Sequence, residues 1–212
     1  MFAWLWRFLG ARESSPAARK KLAVIALLYF IQGAPAAILW EVLPVYFRIN
    51  GVSLRAIGGL RLLELPYSLK FFWSPLVHRY GDRRIWITVC MLGIAAVLLT
   101  LPFVNIAGVG LIVLLLILAF TTLSATQDVA IDSYSVALVN REDEGAANGV
   151  RASAYRIALV FAGGGLVFLA GAIAWNSLFV LAAVVFAILA FSAITVPRLS
   201  ITSASREHWL AG

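Results

Sequence analysis

Six apolar runs, each about as long as the hydrocarbon core of a bilayer is thick, leave this 212-residue chain few ways to fold. They cover 22–47, 60–77, 85–103, 108–139, 150–175 and 178–196, and a helix needs about 20 apolar residues to cross a membrane. In lipid every backbone N–H and C=O must be bonded within its own segment, so such runs become helices. The connections between them are too short to hold a soluble domain. The sequence therefore predicts an all-α, polytopic membrane bundle of six transmembrane helices over 22–196, with cytoplasmic tails at 1–21 and 197–212. The fourth run is longer than one crossing requires, so its C-terminal part is expected to tilt or project into the cytoplasm.

The chain is 62% hydrophobic and 13% charged, with a mean hydropathy of +0.94. Soluble domains are about half apolar and a quarter charged, which excludes that class. A formal charge of +7 could suit a nucleic-acid binder, but the basic residues lie beside apolar runs and form no separate basic domain. They set orientation instead. Twelve of the 17 Lys and Arg residues fall on one side: Arg7, Arg12, Arg19, Lys20, Lys21, Arg79, Arg83, Arg84, Arg141, Arg151, Arg198 and Arg206. Only Arg48 and Arg55 fall on the other, and the connections around Asn105 and Asn176 carry none. The positive-inside rule then places both termini in the cytoplasm. Residues 1–10, with Phe2, Trp4, Trp6 and Phe8 around Arg7, read as an interfacial aromatic segment rather than a signal sequence. The single Cys90 cannot form an internal disulfide. With two histidines it makes no metal cluster, so neither metal nor cofactor is expected.

Asp128 and Asp132 continue the fourth apolar run, and their i, i+4 spacing puts both on one helix face. A carboxylate in hydrocarbon is costly and normally faces a bundle interior or a water-filled path with a partner. If the fourth and fifth helices form a hairpin turning near 142–144, Arg156 falls between the two aspartates in depth, roughly 15–20 Å from the turn. That three-charge cluster reads either as a proton-coupling site or as a static ion-pair lock. Arg151 and Tyr155 lie nearer the cytoplasm, and Arg151 is expected to snorkel.

The second run carries Arg61 and Glu64, spaced to pair with each other, and a deeper Lys70 beyond the helix-breaking Pro66. Lys70 is a candidate for an anionic solute group or for pairing with Glu64 or an aspartate. In the first run Gln32, Gly33 and Pro35 mark a break that reads as a cavity lining or as a simple proline kink. Glu41 is expected near the outer surface, beside Arg48 or Arg55. Gly163, Gly164, Gly165, Ala170 and Gly171 suggest close helix packing in the fifth run.

The stretch Leu65-Pro66-Tyr67-Ser68-Leu69-Lys70-Phe71-Phe72-Trp73-Ser74-Pro75-Leu76 resembles the second span of the major facilitator superfamily, in its muropeptide permease (AmpG-type) and acetyl-CoA transporter branch. Gln32 to Pro35, Gln127-Asp128 with Asp132, and Gly149-Val150 to Tyr155-Arg156 agree with it. The resemblance covers 22–196. It implies a secondary transporter of the bacterial inner membrane, coupling protons to uptake of a polar solute such as a muropeptide. Gln127, Asp128 and Asp132 fall where that family places polar groups facing its cavity. His78, Arg79, Gly81, Asp82, Arg83 and Arg84 resemble its basic loop after the second span, with His78 in place of an aspartate that helps latch the two halves. The superfamily joins two six-span halves around a shared site, so the resemblance implies a second six-span partner, either a separate chain or another copy. The alternative is a non-transporting membrane subunit or remnant whose charges serve assembly. Catalysis is not expected, since two carboxylates on one turn do not face each other across a substrate.

Overall fold

The computed structural model describes residues 16–79, 81–104, 106 and 109–198. The aromatic segment at 2–8 lies outside them, as do Arg7, Arg12, Tyr80, Asn105 and Arg206. Every regular element among the described residues is helical. The first span joins α1 (Pro16–Ala37), a π turn (Ile38–Val42) and α2 (Leu43–Ile49). Then come α3 (Leu54–Leu60), α4 (Leu65–Leu69) and α5 (Ser74–Arg79). Two long helices follow, α6 (Arg83–Thr100) and α7 (Leu111–Leu138). The fifth span joins α8 (Glu144–Ala158), a second π turn (Leu159–Gly164) and α9 (Gly165–Leu169), and α10 (Trp175–Ile194) completes the bundle.

Among the described residues five stretches are long and apolar enough to cross a membrane: Pro16–Ile49, Arg83–Phe103, Leu111–Leu138, Arg141–Leu169 and Trp175–Ile194. The sixth expected span is present as a relay of pieces. α3 runs into a 3-10 turn (Arg61–Glu64), α4 into another (Lys70–Phe72), and α5 ends the relay. Its sequence explains the breaks. Gly58 and Gly59 weaken α3, while Pro66 and Pro75 cannot donate to a helix ladder and so sit at the starts of α4 and α5.

Packing follows side-chain size. α8 runs along α1, α7 packs on α1 and α6, and α10 lies along α6. The second segment leans on α7 through α4 and α5. α8 meets α1 with Ala147, Val150, Ala154 and Ala158, spaced three or four apart on one buried face. Opposite them Gly33 permits close approach: a Cβ there would lie 2.7 Å from that of Ala158 and 2.9 Å from the carbonyl oxygen of Tyr155. Gly33 thus serves helix packing, where a cavity lining was one expectation. At the far end of the first span, the Tyr46 ring packs edge-on against Phe179 at 4.7 Å and tilted against Trp175 at 5.1 Å. These contacts tie α2 to the start of α10.

The two π turns pack against each other. Glu41, expected beside Arg48 or Arg55, lays its carboxylate on Gly163 in the facing turn. Gly163 alone of the three consecutive glycines makes so close an approach, and Gly164 faces open space.

Candidate functional site

Pro35 accounts for the first polar contact of the interior. It has no N–H, so the carbonyl of Ile31, four residues earlier, loses its helix donor. The Nε2 of Gln127 donates to that carbonyl at 3.1 Å. A buried carbonyl must be paired, and Gln127 is itself 1% exposed. Gln127, expected to face a cavity, therefore repairs α1. Its Oε1 and that of Gln32 are buried without a partner among the described residues.

One and five residues further along α7 stand the two aspartates, and each is answered by a different element. Lys70 Nζ, on the 3-10 turn of the second segment, lies 3.6 Å from Asp128 Oδ2. The Tyr29 hydroxyl of α1 donates to Asp132 Oδ1 at 2.8 Å. Gln32, Tyr67 and Tyr155 lie within electrostatic reach of Asp128. The neighbouring turns of α7 are bonded to the second segment as well. The Tyr67 hydroxyl donates to Ser124 Oγ at 2.7 Å, and Trp73 Nε1 donates to Thr126 Oγ1 at 3.2 Å.

Arg156 is not the counter-charge. It is exposed and forms no ion pair among the described residues. The reason is rotational. Ala154 and Ala158 face α1, and a residue midway between them points to the opposite side of a 3.6-residue helix. The connection also turns at Val139 and Asn140, ahead of the expected 142–144, and α8 then lies along α1. Arg151, expected to snorkel, is the α8 cation that turns inward. Its Nε donates to Ser135 Oγ at 2.9 Å and its NH1 to Asn148 Oδ1 at 2.7 Å. Its guanidinium carbon stands 5.7 Å from the centre of the Tyr29 ring. Tyr29, which sequence reasoning passed over, therefore links Arg151 to Asp132. The available signal was a single phenol one helical turn before the Gln32–Pro35 break.

Arg61 and Glu64 do not pair; both line a cavity of about 140 Å³ beside Trp40. Trp40 and Tyr67 approach at 6.4 Å between ring centres. A larger groove of about 520 Å³ lies between the second segment and α7, with Lys70, Ser74, His78, Arg83, Asp132 and Ser133 among its lining residues.

The loop expected to be a cytoplasmic basic motif forms a clamp. Gly81, at φ +82°, turns the chain into α6, and Asp82 caps that helix by accepting from the N–H of Arg84 at 3.0 Å. The Arg84 side chain returns to Asp82 with Nε at 3.1 and 3.0 Å and NH2 at 2.6 Å. Its NH1 donates to the carbonyls of Ile194 and Val196 at 3.1 and 2.8 Å. Those hydrogen bonds from the Arg84 side chain hold the Asp82 carboxyl below its ordinary range. Tyr134 donates to the carbonyl of Pro197 at 2.7 Å, so α7 joins the same knot.

The Major Facilitator Superfamily model matches residues 22–208. An uncharacterised protein of Haemophilus influenzae is 33% identical over 175 residues, covering 78% of this chain and 40% of that protein. A Rickettsia felis protein carrying the provisional name transporter AmpG 4 is 30% identical over 188 residues, covering 83% of this chain and 45% of its own. The anhydromuropeptide permease of Escherichia coli K12 is 28% identical over 150 residues, 67% of this chain and 30% of the permease. The chain thus spans less than half the length of these relatives.

Proposed function

This chain belongs to the Major Facilitator Superfamily, and from that premise we propose that it is the N-terminal six-span half of a secondary transporter coupling protons to uptake of a polar solute. The observation that carries the reading is the division of labour on α7. Asp128 is answered by the second segment and Asp132 by the first span. Two carboxylates held by two different elements allow a proton to change which elements are tied together. The Lys70–Asp128 contact is a single long one, and the Lys70 side chain is 34% exposed. Protonating Asp128 removes the attraction and frees Lys70 for an anionic group of the solute. Gln32 beside Asp128, with an unpaired Oε1, offers that solute a hydrogen-bond acceptor. Tyr155, Glu64 and the kink at Pro35 are assigned to gating.

The muropeptide class of solute is proposed from the permease relative. A second six-span unit, either another chain or a second copy, would complete the site. Arg156, exposed on α8, is available to that unit or to the solute. The basic connections support an orientation with both termini in the cytoplasm, and the bacterial relatives support residence in an inner membrane. No covalent chemistry is assigned to the chain.

The test is uptake of a labelled anhydromuropeptide into proteoliposomes under an inward proton gradient, with the second half supplied where uptake requires it. Asp132→Asn should insert normally and lose gradient-driven uptake. Undiminished uptake by that variant ends the coupling role.

A further inference from the structure

We propose that the groove between the second segment and α7 receives a phosphate oxyanion at its Arg83–His78 end. The groove is built on a ladder. Lys70, Ser74 and His78 follow at four-residue intervals, with α7 facing them through Asp132, Ser133 and Val136. Its volume of about 520 Å³ lies within the range of small-molecule sites.

The charges separate along its length. At the inner end the carboxylates are engaged, Asp128 with Lys70 and Asp132 with the Tyr29 hydroxyl. At the other end stand Arg83 and His78. Arg83 has no ion pair among the described residues, and its Nε is buried without a hydrogen-bond acceptor. A buried guanidinium N–H left without an acceptor costs free energy, and an oxyanion would satisfy it. His78 is prepared in a similar way. Its Nδ1 lies 2.7 Å from the carbonyl oxygen of Ser74, which can only accept, so Nδ1 carries the hydrogen. The other ring nitrogen remains for a ligand, donating when the ring is protonated or accepting from an acidic hydroxyl when it is not. The Ser133 hydroxyl supplies a further donor.

Phosphate reaches such a place either free or as the headgroup of an anionic lipid. Basic pockets between membrane helices recognise headgroups, and the rim here carries exposed apolar groups, Phe71 at 62% and Val136 at 72%, that suit acyl chains. The proposal does not depend on transport.

The test uses the full chain in nanodiscs and reads its thermal unfolding midpoint. One arm adds inorganic phosphate to discs of zwitterionic lipid, against chloride at equal ionic strength. The other replaces part of the zwitterionic lipid with phosphatidylglycerol, and native mass spectrometry counts the retained lipid. At least one arm should stabilise the protein, the first marking a free anion and the second alone a headgroup. H78Q combined with R83Q should weaken the response about tenfold, the scale of losing charge-assisted hydrogen bonds. R55Q, an exposed arginine outside the groove, should keep it. Ser133→Val keeps every charge and narrows the groove, so it should also weaken binding if the double variant fails to fold. No response in either arm, a response unchanged in the groove variants, or an equal loss in R55Q overturns the proposal.

Discussion

Asp82 and Asp128 are both held by a basic side chain, yet the two pairs are built differently. Asp82 receives Nε and NH2 of Arg84 at 2.6–3.1 Å, and the same guanidinium also bonds two carbonyls beyond α10. Arg84 is 8% exposed. Asp128 has Lys70 as its one ion-pair partner among the described residues, at 3.6 Å, across an opening that leaves the lysine one-third exposed. A planar guanidinium grips several acceptors with fixed geometry, whereas an ammonium on a four-carbon stem is a movable point charge. The first pair is suited to hold, and the second to let go. The clamp fastens the start of α6 to the end of α10. The loose pair joins a broken segment to α7, at the level where two elements compete for two carboxylates.

The sharpest way to break this comparison is at the clamp. Arg84→Gln leaves Asp82 with the exposed Arg198, 3.8 Å away, as its remaining ion-pair partner among the described residues, and strips the carbonyls of Ile194 and Val196 of a donor. It should lower unfolding free energy by about 2–3 kcal/mol, read by denaturant unfolding in detergent. Acid should reproduce part of the loss. The folded Asp82 carboxyl titrates below its ordinary value, so its contribution is fully present above about pH 3.9 and fades as pH falls through the lower folded value. Asp82→Asn should be less stable at neutral pH and should lack that component of the acid dependence. Equal acid slopes in the two proteins would remove Asp82 from the clamp.

A neutral contact sets the scale for what a buried bond is worth without charge. Gln127→Leu should cost about 1–2 kcal/mol, because Ile31 keeps an unpaired carbonyl. Pro35→Ala in the same chain restores a backbone N–H to that carbonyl and should recover most of the loss. Additive losses in the double variant would mean that Gln127 does not stand in for the missing helix bond.

How far the chain could be read without its structure follows from these contacts. Hydropathy and the i, i+4 rule locate the spans and put Asp128 and Asp132 on one face, since both depend only on spacing along one helix. Choice of neighbour does not. Counting from a turn gives Arg156 a depth but no direction, and small residues at Ala154, Ala158 and Gly33 decide the direction. Lys70 was legible as a buried cation near a kink, able to pair with Glu64 or an aspartate, whereas the choice of Asp128 depends on the second segment leaning on α7. Gln127 was legible as polar, but its task required connecting it to a proline on another helix. Arg84 was legible as positive charge and as a member of the loop motif with Asp82. Its role needs the carbonyls of Ile194 and Val196, more than a hundred residues away in sequence.

At the loose pair stability and function should separate. Lys70→Gln removes one long, partly solvated contact, so it should shift unfolding by no more than about 1 kcal/mol. Gradient-driven uptake should nevertheless fall to background, because the proton no longer has a partner to release. A loss of stability as large as that of Arg84→Gln would place both pairs in the same class and erase the distinction.

The smallest change tests the other carboxylate. Tyr29→Phe deletes one hydroxyl and leaves the ring, so Arg151 keeps its aromatic neighbour at 5.7 Å and its bonds to Ser135 and Asn148. The 2.8 Å donation to Asp132 is lost, together with the hydroxyl's contact with Ser135. Asp132 is partly exposed, and water can replace that donor, so stability should change by about 0.5–1 kcal/mol. If Tyr29 only props α1 against α7, the pH profile of uptake should keep its shape. If its hydroxyl takes part in handling the proton at Asp132, uptake should fall and the profile should change shape although the fold is nearly unchanged. The second outcome is expected, because Tyr29 is the sole hydrogen-bond donor to Asp132 among the described residues.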